Sequence, residues 1–293
     1  MESVTDARGI TLVCCGLIGT LVADDGLIER SFAEAIATQG VVSGTSAFAR
    51  RMSQVHKARG KAPGDVLREL FPDNEPRAQA AALAFDKALP DAVSRSAVRP
   101  LPGAVETLDE IRAAGRQACV LTSLPRRVVD LVLDATDLSG KIDIAVTAED
   151  APRGFPAPDL ALTAMLRAGV EAVQDVAVVH DTGAGIACGR SSGASIVAGV
   201  LTGPHAAARL QAAGATHVLG SIADLPGLLA SLDGATGVRP HSDNGASRAP
   251  SGPHGSAATR PAAIDVPTQA SADRPKLGRQ LSARTPEPPG PRA

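Results

Sequence analysis

The 293-residue chain has no Trp and no Tyr, and aromatic residues make up only 2% of it against 44% for hydrophobic residues as a whole. There is enough apolar material for a sizeable core, but it has to be built from Val, Leu, Ile and Ala. Such a core suits a parallel sheet covered by small-residue helices better than a β-sandwich. Cysteine is nearly as scarce: Cys14, Cys15, Cys119 and Cys188 form no Cys-x-x-Cys pair. That spacing argues against a zinc site or a disulfide framework and for buried free thiols in a reducing cytosol. A net charge of −2 gives no electrostatic footprint for nucleic acid. No apolar run approaches the ~20 residues of a membrane span, and the first residues lack the charged stretch and apolar core of a signal peptide. The expectation is a cytoplasmic protein with neither nucleic acid nor membrane as partner.

What is present is an alternation. Short apolar runs at Ile10–Cys15, Gln117–Leu121, Ile142–Val146, Val176–His180, Ser195–Val200 and His217–Leu219 read as strands. Helical spacing separates them at Ala104–Ala114, Arg126–Asp134, Pro158–Ala168, Ala184–Ser191, His205–Ala213 and Ile222–Leu232. This is the pattern of an α/β fold with a doubly wound parallel sheet of about six strands, whose ligands sit beyond the strands' carboxyl ends. Those ends are Gly16, Thr122, Glu149-Asp150 and Asp181. One stretch breaks the rhythm: between Leu27 and Arg99 only helical spacing occurs, at Ser31–Gln39, Ala47–Val55, Pro63–Leu70 and Ala78–Leu89. We therefore expect an α/β core over 1–26 and 100–233 and an inserted all-helical cap over 27–99. A Pro-, Ala- and Arg-rich tail over 234–293 is expected to be disordered. Its basic residues outnumber its acidic ones, so an anionic partner for the tail stays open.

Five segments carry a resemblance. They are the strand and turn Ile10-Thr-Leu-Val-Cys-Cys-Gly-Leu-Ile-Gly-Thr20, then Leu101-Pro-Gly-Ala104, Gly154-Phe-Pro-Ala-Pro-Asp159, Val178-Val-His-Asp-Thr182, and Gly199-Val-Leu-Thr-Gly-Pro-His205. In their order and spacing they resemble the haloacid dehalogenase superfamily, and within it the phosphonatase-like hydrolases with a helical cap after the first strand. The closing Thr216–Pro226 is similar to the end of that family's core domain. The resemblance implies phosphoryl transfer to an aspartate, assisted by magnesium, a cation on the phosphoryl oxygens and hydrogen-bond donors around them.

Set against that chemistry, the chain departs from the pattern at its motifs. Gly16 stands where the resemblance implies the nucleophilic aspartate, and Ile18 stands where most phosphatases of the family carry a second Asp. A hydrogen cannot form an acyl phosphate. Cys15 and Asp24 are the nearby groups weighed as substitutes, and Cys15 points to the other face of its strand. The implied phosphate-binding residues are Thr20, Thr122 and, in reserve, Arg153, because the motif's cation has become Phe155, which neither carries charge nor donates a hydrogen bond. Asp159 suits the first turn of the helix after Pro158. Thr122 and Asp181 also have structural readings, as the caps of a turn and of a helix. The implied metal ligand is Asp181, whose partner acid has become Gly185, so the Mg2+ site is weakened. Cap lysines Lys57 and Lys61 lie where phosphonatase forms a Schiff base. The sum is a hydrolase homologue expected to be catalytically impaired and to retain a phosphorylated or anionic small molecule, with a homodimer through the cap left open. An active hydrolase with unconventional residues and a partner-binding module remain the alternatives.

Overall fold

The computed structural model describes residues 9–96 and 98–236. Six strands form a single parallel sheet: β1 (Leu12–Cys15), β2 (Gln117–Leu121), β3 (Ile144–Val146), β4 (Val176–His180), β5 (Ile196–Val200) and β6 (His217–Leu219). Their order is β3-β2-β1-β4-β5-β6. The order reverses between β1 and β4, which pair directly from Leu12↔Val176 to Cys15↔Val179. In a doubly wound sheet the crevice at that reversal is where ligands bind.

Both faces of the sheet are covered, which explains why its strands read as continuous apolar runs. Alternate residues of β1 enter opposite layers. Val13 and Cys15 join one buried cluster, which also contains the helices that follow β1, and Leu12 and Cys14 join the other, with Leu160, Ile186 and Leu210. All four cysteines are buried and free. Among the described residues no helix is long and apolar enough to cross a membrane.

Between β1 and β2 the chain is all helical, as α1 (Leu27–Thr38), α2 (Ser46–Lys57), α3 (Pro63–Leu70) and α4 (Glu75–Arg95). Two of these differ from the spacing-based expectation, and both differences have local causes. α1 begins at Leu27 because the Asp24 carboxylate accepts the Ile28 N–H at 3.2 Å and supplies a cap ahead of the periodic stretch. α4 begins at Glu75, where the Asn74 side chain accepts the Arg77 N–H at 3.0 Å, and it continues through Pro90 to Arg95. Proline in mid-helix loses one hydrogen bond, but Pro90 is buried in this helix.

The remaining helices are α5 (Ala104–Ala113), α6 (Arg126–Ala135), α7 (Asp159–Ala168), α8 (Gly183–Ser192), α9 (Ala207–Ala212) and α10 (Leu225–Thr236). The expected tail over 234–293 lies outside the described residues apart from its first three positions, which complete α10.

Candidate functional site

The carboxyl ends of β1 and β4 bring together residues that the sequence separates by more than 160 positions. Gly16 follows β1, and its N–H donates to the Val179 carbonyl at 2.8 Å. His180 ends β4, with Asp181 and Thr182 after it. The His180 ring lies in the space between the two glycines. A Cβ added at Gly16 would stand 3.1 Å from His180 Nε2 and 2.6 Å from Thr20 Oγ1, and one added at Gly185 would stand 2.2 Å from His180 Cγ. Neither glycine has a positive φ, so the backbone does not demand glycine there; the imidazole does so at Gly185, and at Gly16 Thr20 Oγ1 is nearer than the ring. Phe155 closes the arrangement, its ring meeting His180 edge to face with centroids 5.1 Å apart and planes at 88°. Gly16, Phe155 and Gly185, three of the positions that depart from the family pattern, therefore surround one side chain, His180.

Asp181 is fully buried. Its Oδ1 accepts the Thr20 hydroxyl at 3.0 Å and lies 3.0 Å from His180 Nδ1. Burial pushes this carboxyl up, but hydrogen bonding and charge from His180, the Thr20 hydroxyl and the Arg59 guanidinium outweigh that and hold it below its usual range. Its Oδ2 has no hydrogen-bond partner and is wedged against the backbone, since a Cβ on Gly19 or on Gly203 would stand 2.2 Å from it. Capping of α8 falls to Thr182, whose Oγ1 accepts the Gly185 N–H at 3.3 Å, so the alternative of Asp181 as that cap is corrected.

Above these residues is a cavity of about 60 Å³ between the sheet and the helices that follow β1. Leu17, Ile18, Thr122, Ser123, Leu124, Phe155 and residues 180–182 line it from the sheet side, and Ile28, Phe32, Pro63, Val66 and the loop 58–61 from the other. That loop is seated tightly. Gly60, at φ +95°, allows an approach so close that a Cβ would stand 2.4 Å from Thr182 Oγ1. The turn carries Arg59 inward, where its guanidinium donates to Asp24 Oδ2 at 2.6 Å and lies 4.0 Å from Glu29 Oε1.

The other expected residues divide clearly. Thr122 and Ile18 face the cavity, and Thr122 Oγ1 accepts the Leu124 N–H at 3.2 Å. Thr20 lies beneath the cavity against Asp181. Arg153 is turned away: its side chain is 69% exposed and paired with Asp159 at 2.7 Å. Asp24 is occupied by Arg59. Cys15 is buried, and burial, reinforced by the charge of Cys14, raises its thiol pKa far above the usual range. Lys61 lines the cavity but is paired with Glu69 at 2.6 Å; Lys57 does not line it.

Magnesium is the metal that the resemblance implies. The residues present do not fit it. Gly16 and Gly185 offer no carboxylate, Asp181 has one oxygen engaged and the other wedged against backbone, and among the described residues no group of three or more His, Cys, Asp or Glu side chains is placed to hold a metal ion.

His205 supports the same end of the sheet. Its Nδ1 accepts the Gly183 N–H at 2.8 Å. Burial, with the Arg209 charge acting in the same direction, pushes the imidazole down to about 4. An unfolded histidine titrates near 6.5, so between about pH 6.5 and 4 the unfolded chain binds a proton that the native protein refuses, and stability falls as pH drops. Urea unfolding midpoints at pH 7 and pH 4.5 test this: His205→Asn, which keeps an acceptor for Gly183, is expected to show a smaller drop than the unsubstituted protein.

A doubly wound core with helices inserted after β1 and functional residues at the β1/β4 reversal defines the class. The chain belongs to the haloacid dehalogenase-like hydrolases, whose family model matches residues 19–199. Within that superfamily the chain is similar to phosphonoacetaldehyde hydrolases. Over 167 residues it is 30% identical to the phosphonoacetaldehyde hydrolase of Bordetella pertussis, covering 48% of this chain and 60% of that protein. The Salmonella typhimurium phosphonoacetaldehyde hydrolase matches at 30% over 167 residues, 62% of its length. The chain thus spans about three fifths of the curated relatives it matches. Among solved structures, a hydrolase from Pseudomonas syringae superposes with a TM-score of 0.66 at 25% identity, covering 75% of this chain and 98% of that one. A phosphonoacetaldehyde hydrolase-like protein from Oleispira antarctica gives 0.70 at 20% identity, covering 80% and 97%.

Three residues of the site escape a reading of the sequence. Ser123 follows Thr122 without a motif of its own. Arg59 sits in a run, His56–Lys61, where every position looks equally solvated. His180 had a signal only in its neighbours, the glycines at 16 and 185 where the resemblance implies acids.

Proposed function

We propose that this protein is a phosphonatase-like family member that does not transfer phosphoryl groups and that keeps the cavity between sheet and helices as a small-molecule binding site. The observation that carries this reading is the glycine at position 16, where an added Cβ would meet Thr20 Oγ1 at 2.6 Å and the His180 ring at 3.1 Å. Loss of a covalent nucleophile alone typically costs on the order of 10⁴–10⁶ in rate. Here the cation and the second metal-site acid are replaced as well. The test is steady-state hydrolysis of a panel of phosphate esters and phosphonates with magnesium, using the unsubstituted protein and Asp181→Asn. Neither is expected to turn over above background. Magnesium-dependent turnover that Asp181→Asn abolishes would overturn the reading.

A further inference from the structure

We propose that the hollow between the end of α2, the loop 58–61 and the start of α8 is a binding site for a small oxyanion with two or more negative charges, such as pyrophosphate or a tricarboxylate. It shares that loop with the cavity at the β1/β4 reversal but has a separate far wall, and it does not depend on the preceding reading.

Charge is the first argument. The hollow has a volume of about 240 Å³, and its wall carries Lys57, Arg59, Lys61 and Arg209 together with Gly183 and Ala184 of α8. Among the described residues no Asp or Glu lines it. The chain as a whole has a net charge of −2, and the hollows beside α3 and α10 do contain carboxylates, Glu69 in one and Glu110 and Asp233 in the other. A wall of one sign is therefore a local feature and not a consequence of composition.

Availability is the second. Arg59 is held by Asp24 at 2.6 Å and Lys61 by Glu69 at 2.6 Å. Lys57 and Arg209 are exposed, and among the described residues neither has a carboxylate partner. Arg209 is nevertheless held in place: its Nη2 donates to the Lys57 carbonyl at 2.5 Å. That contact keeps the guanidinium beside the residue that bears the second cation. It occupies one nitrogen of a fork with five donors and leaves Nε and Nη1 for an oxyanion.

The neighbouring histidine registers the field. His205 accepts the Gly183 N–H at 2.8 Å. Besides burial, the charges of Arg209, His56 and Arg59 push its imidazole down, against the opposing effect of Asp181. The dipole of α8 adds the same sign at Gly183 and Ala184.

Size and valence choose the ligand. The hollow is smaller than the roughly 300–1,000 Å³ of sites that enclose a drug-sized molecule, so its occupant is small. Two cations without partners call for two negative charges; a monoanion leaves one unmatched, and a single exposed ion pair adds little.

The experiment is calorimetric titration of the full chain, without magnesium, with pyrophosphate, citrate and the monoanion acetate. Pyrophosphate and citrate are expected to bind with Kd on the order of 0.1–1 mM, and acetate not to bind at the same concentrations. Lys57→Gln is expected to weaken them about fivefold and Arg209→Gln about tenfold. Lys87→Gln removes an exposed lysine of α4 that does not line the hollow and is expected to leave binding unchanged. Should Arg209→Gln loosen the loop that it holds, Lys57→Gln decides alone, because its ammonium has no partner to lose among the described residues. Lys57 does not line the cavity above Gly16 either, so its effect assigns the ligand to the hollow. Preference for pyrophosphate marks the occupant as a phosphate compound and preference for citrate as a carboxylate, and either supports the proposal. Absence of binding by both, binding indifferent to Lys57→Gln, or an equal loss in Lys87→Gln would each overturn it. None of these results bears on turnover, on which the preceding reading stands.

Discussion

Gly16→Asp, which returns a carboxylate to the end of β1, is expected to leave the protein inactive and to lower its melting temperature by roughly 4–10 °C. The new Cβ meets Thr20 Oγ1 at 2.6 Å and the His180 ring at 3.1 Å, and the carboxylate behind it arrives beside the buried Asp181. Overpacking of this kind costs about 1–3 kcal/mol, before the repulsion of a second negative charge. The loss should be relieved by His180→Gly, which vacates the space. A double-mutant cycle in urea is expected to show a coupling of about 1–3 kcal/mol between the two positions. Gly185→Asp should behave in the same way, since its Cβ would stand 2.2 Å from His180 Cγ. Magnesium-dependent phosphatase activity is expected only when Gly16→Asp, Gly185→Asp and Phe155→Arg are combined with His180→Gly. A stable, active Gly16→Asp single variant would show instead that the site stands ready and lacks only its nucleophile.

This coupling marks the boundary between what the residues disclose in order and what only the fold discloses. The sheet was legible because each strand is a short apolar run bounded by turn residues, and each intervening helix keeps its 3.6 period. Element ends were less so where a side chain sets them from outside the periodic stretch. Asp24 starts α1 at Leu27, and Asn74 starts α4 at Glu75. The helix expected to end at Leu89 runs on through Pro90 to Arg95.

At the site, the replaced positions could each be named from the sequence, but as separate losses. That Gly16, Phe155 and Gly185 bound a single ring depends on two loops and the first turn of α8 meeting at the β1/β4 reversal, which no local pattern encodes. Arg59 was hidden for a related reason. Within His56–Lys61 the spacing does not distinguish one cation from another, and only the left-handed turn at Gly60 decides that Arg59 points inward while Lys61 stays with Glu69. Arg153 shows the converse. Its position two residues before Phe155 recommended it, and an exposed pair with Asp159 holds it elsewhere.

Asp181→Asn is expected to lower stability by about 2–4 kcal/mol, a fall in melting temperature on the order of 10 °C for a domain of this size. The sign matters more than the size. An acid retained for chemistry sits among groups arranged for substrate or metal, and its neutralisation commonly leaves a protein as stable or more so. Asp181 is instead surrounded by groups that favour its charge in the resting protein: the Thr20 hydroxyl at 3.0 Å, the His180 ring at 3.0 Å and the Arg59 guanidinium further off. An amide at this place still accepts from Thr20 but gives up the charge that His180 and Arg59 face, and its NH2 group has to enter the space between Gly19 and Gly203 where Oδ2 now finds no partner. Because the carboxyl is held below its usual range, its contribution is fully present above the unfolded value near 3.9 and is lost as pH falls through the lower native value. Thermal unfolding of both proteins at pH 7 decides the matter. A clear loss makes Asp181 the electrostatic anchor of the packed His180 cluster, whereas an unchanged or raised melting temperature would return it to the role of an acid kept for a ligand or an ion.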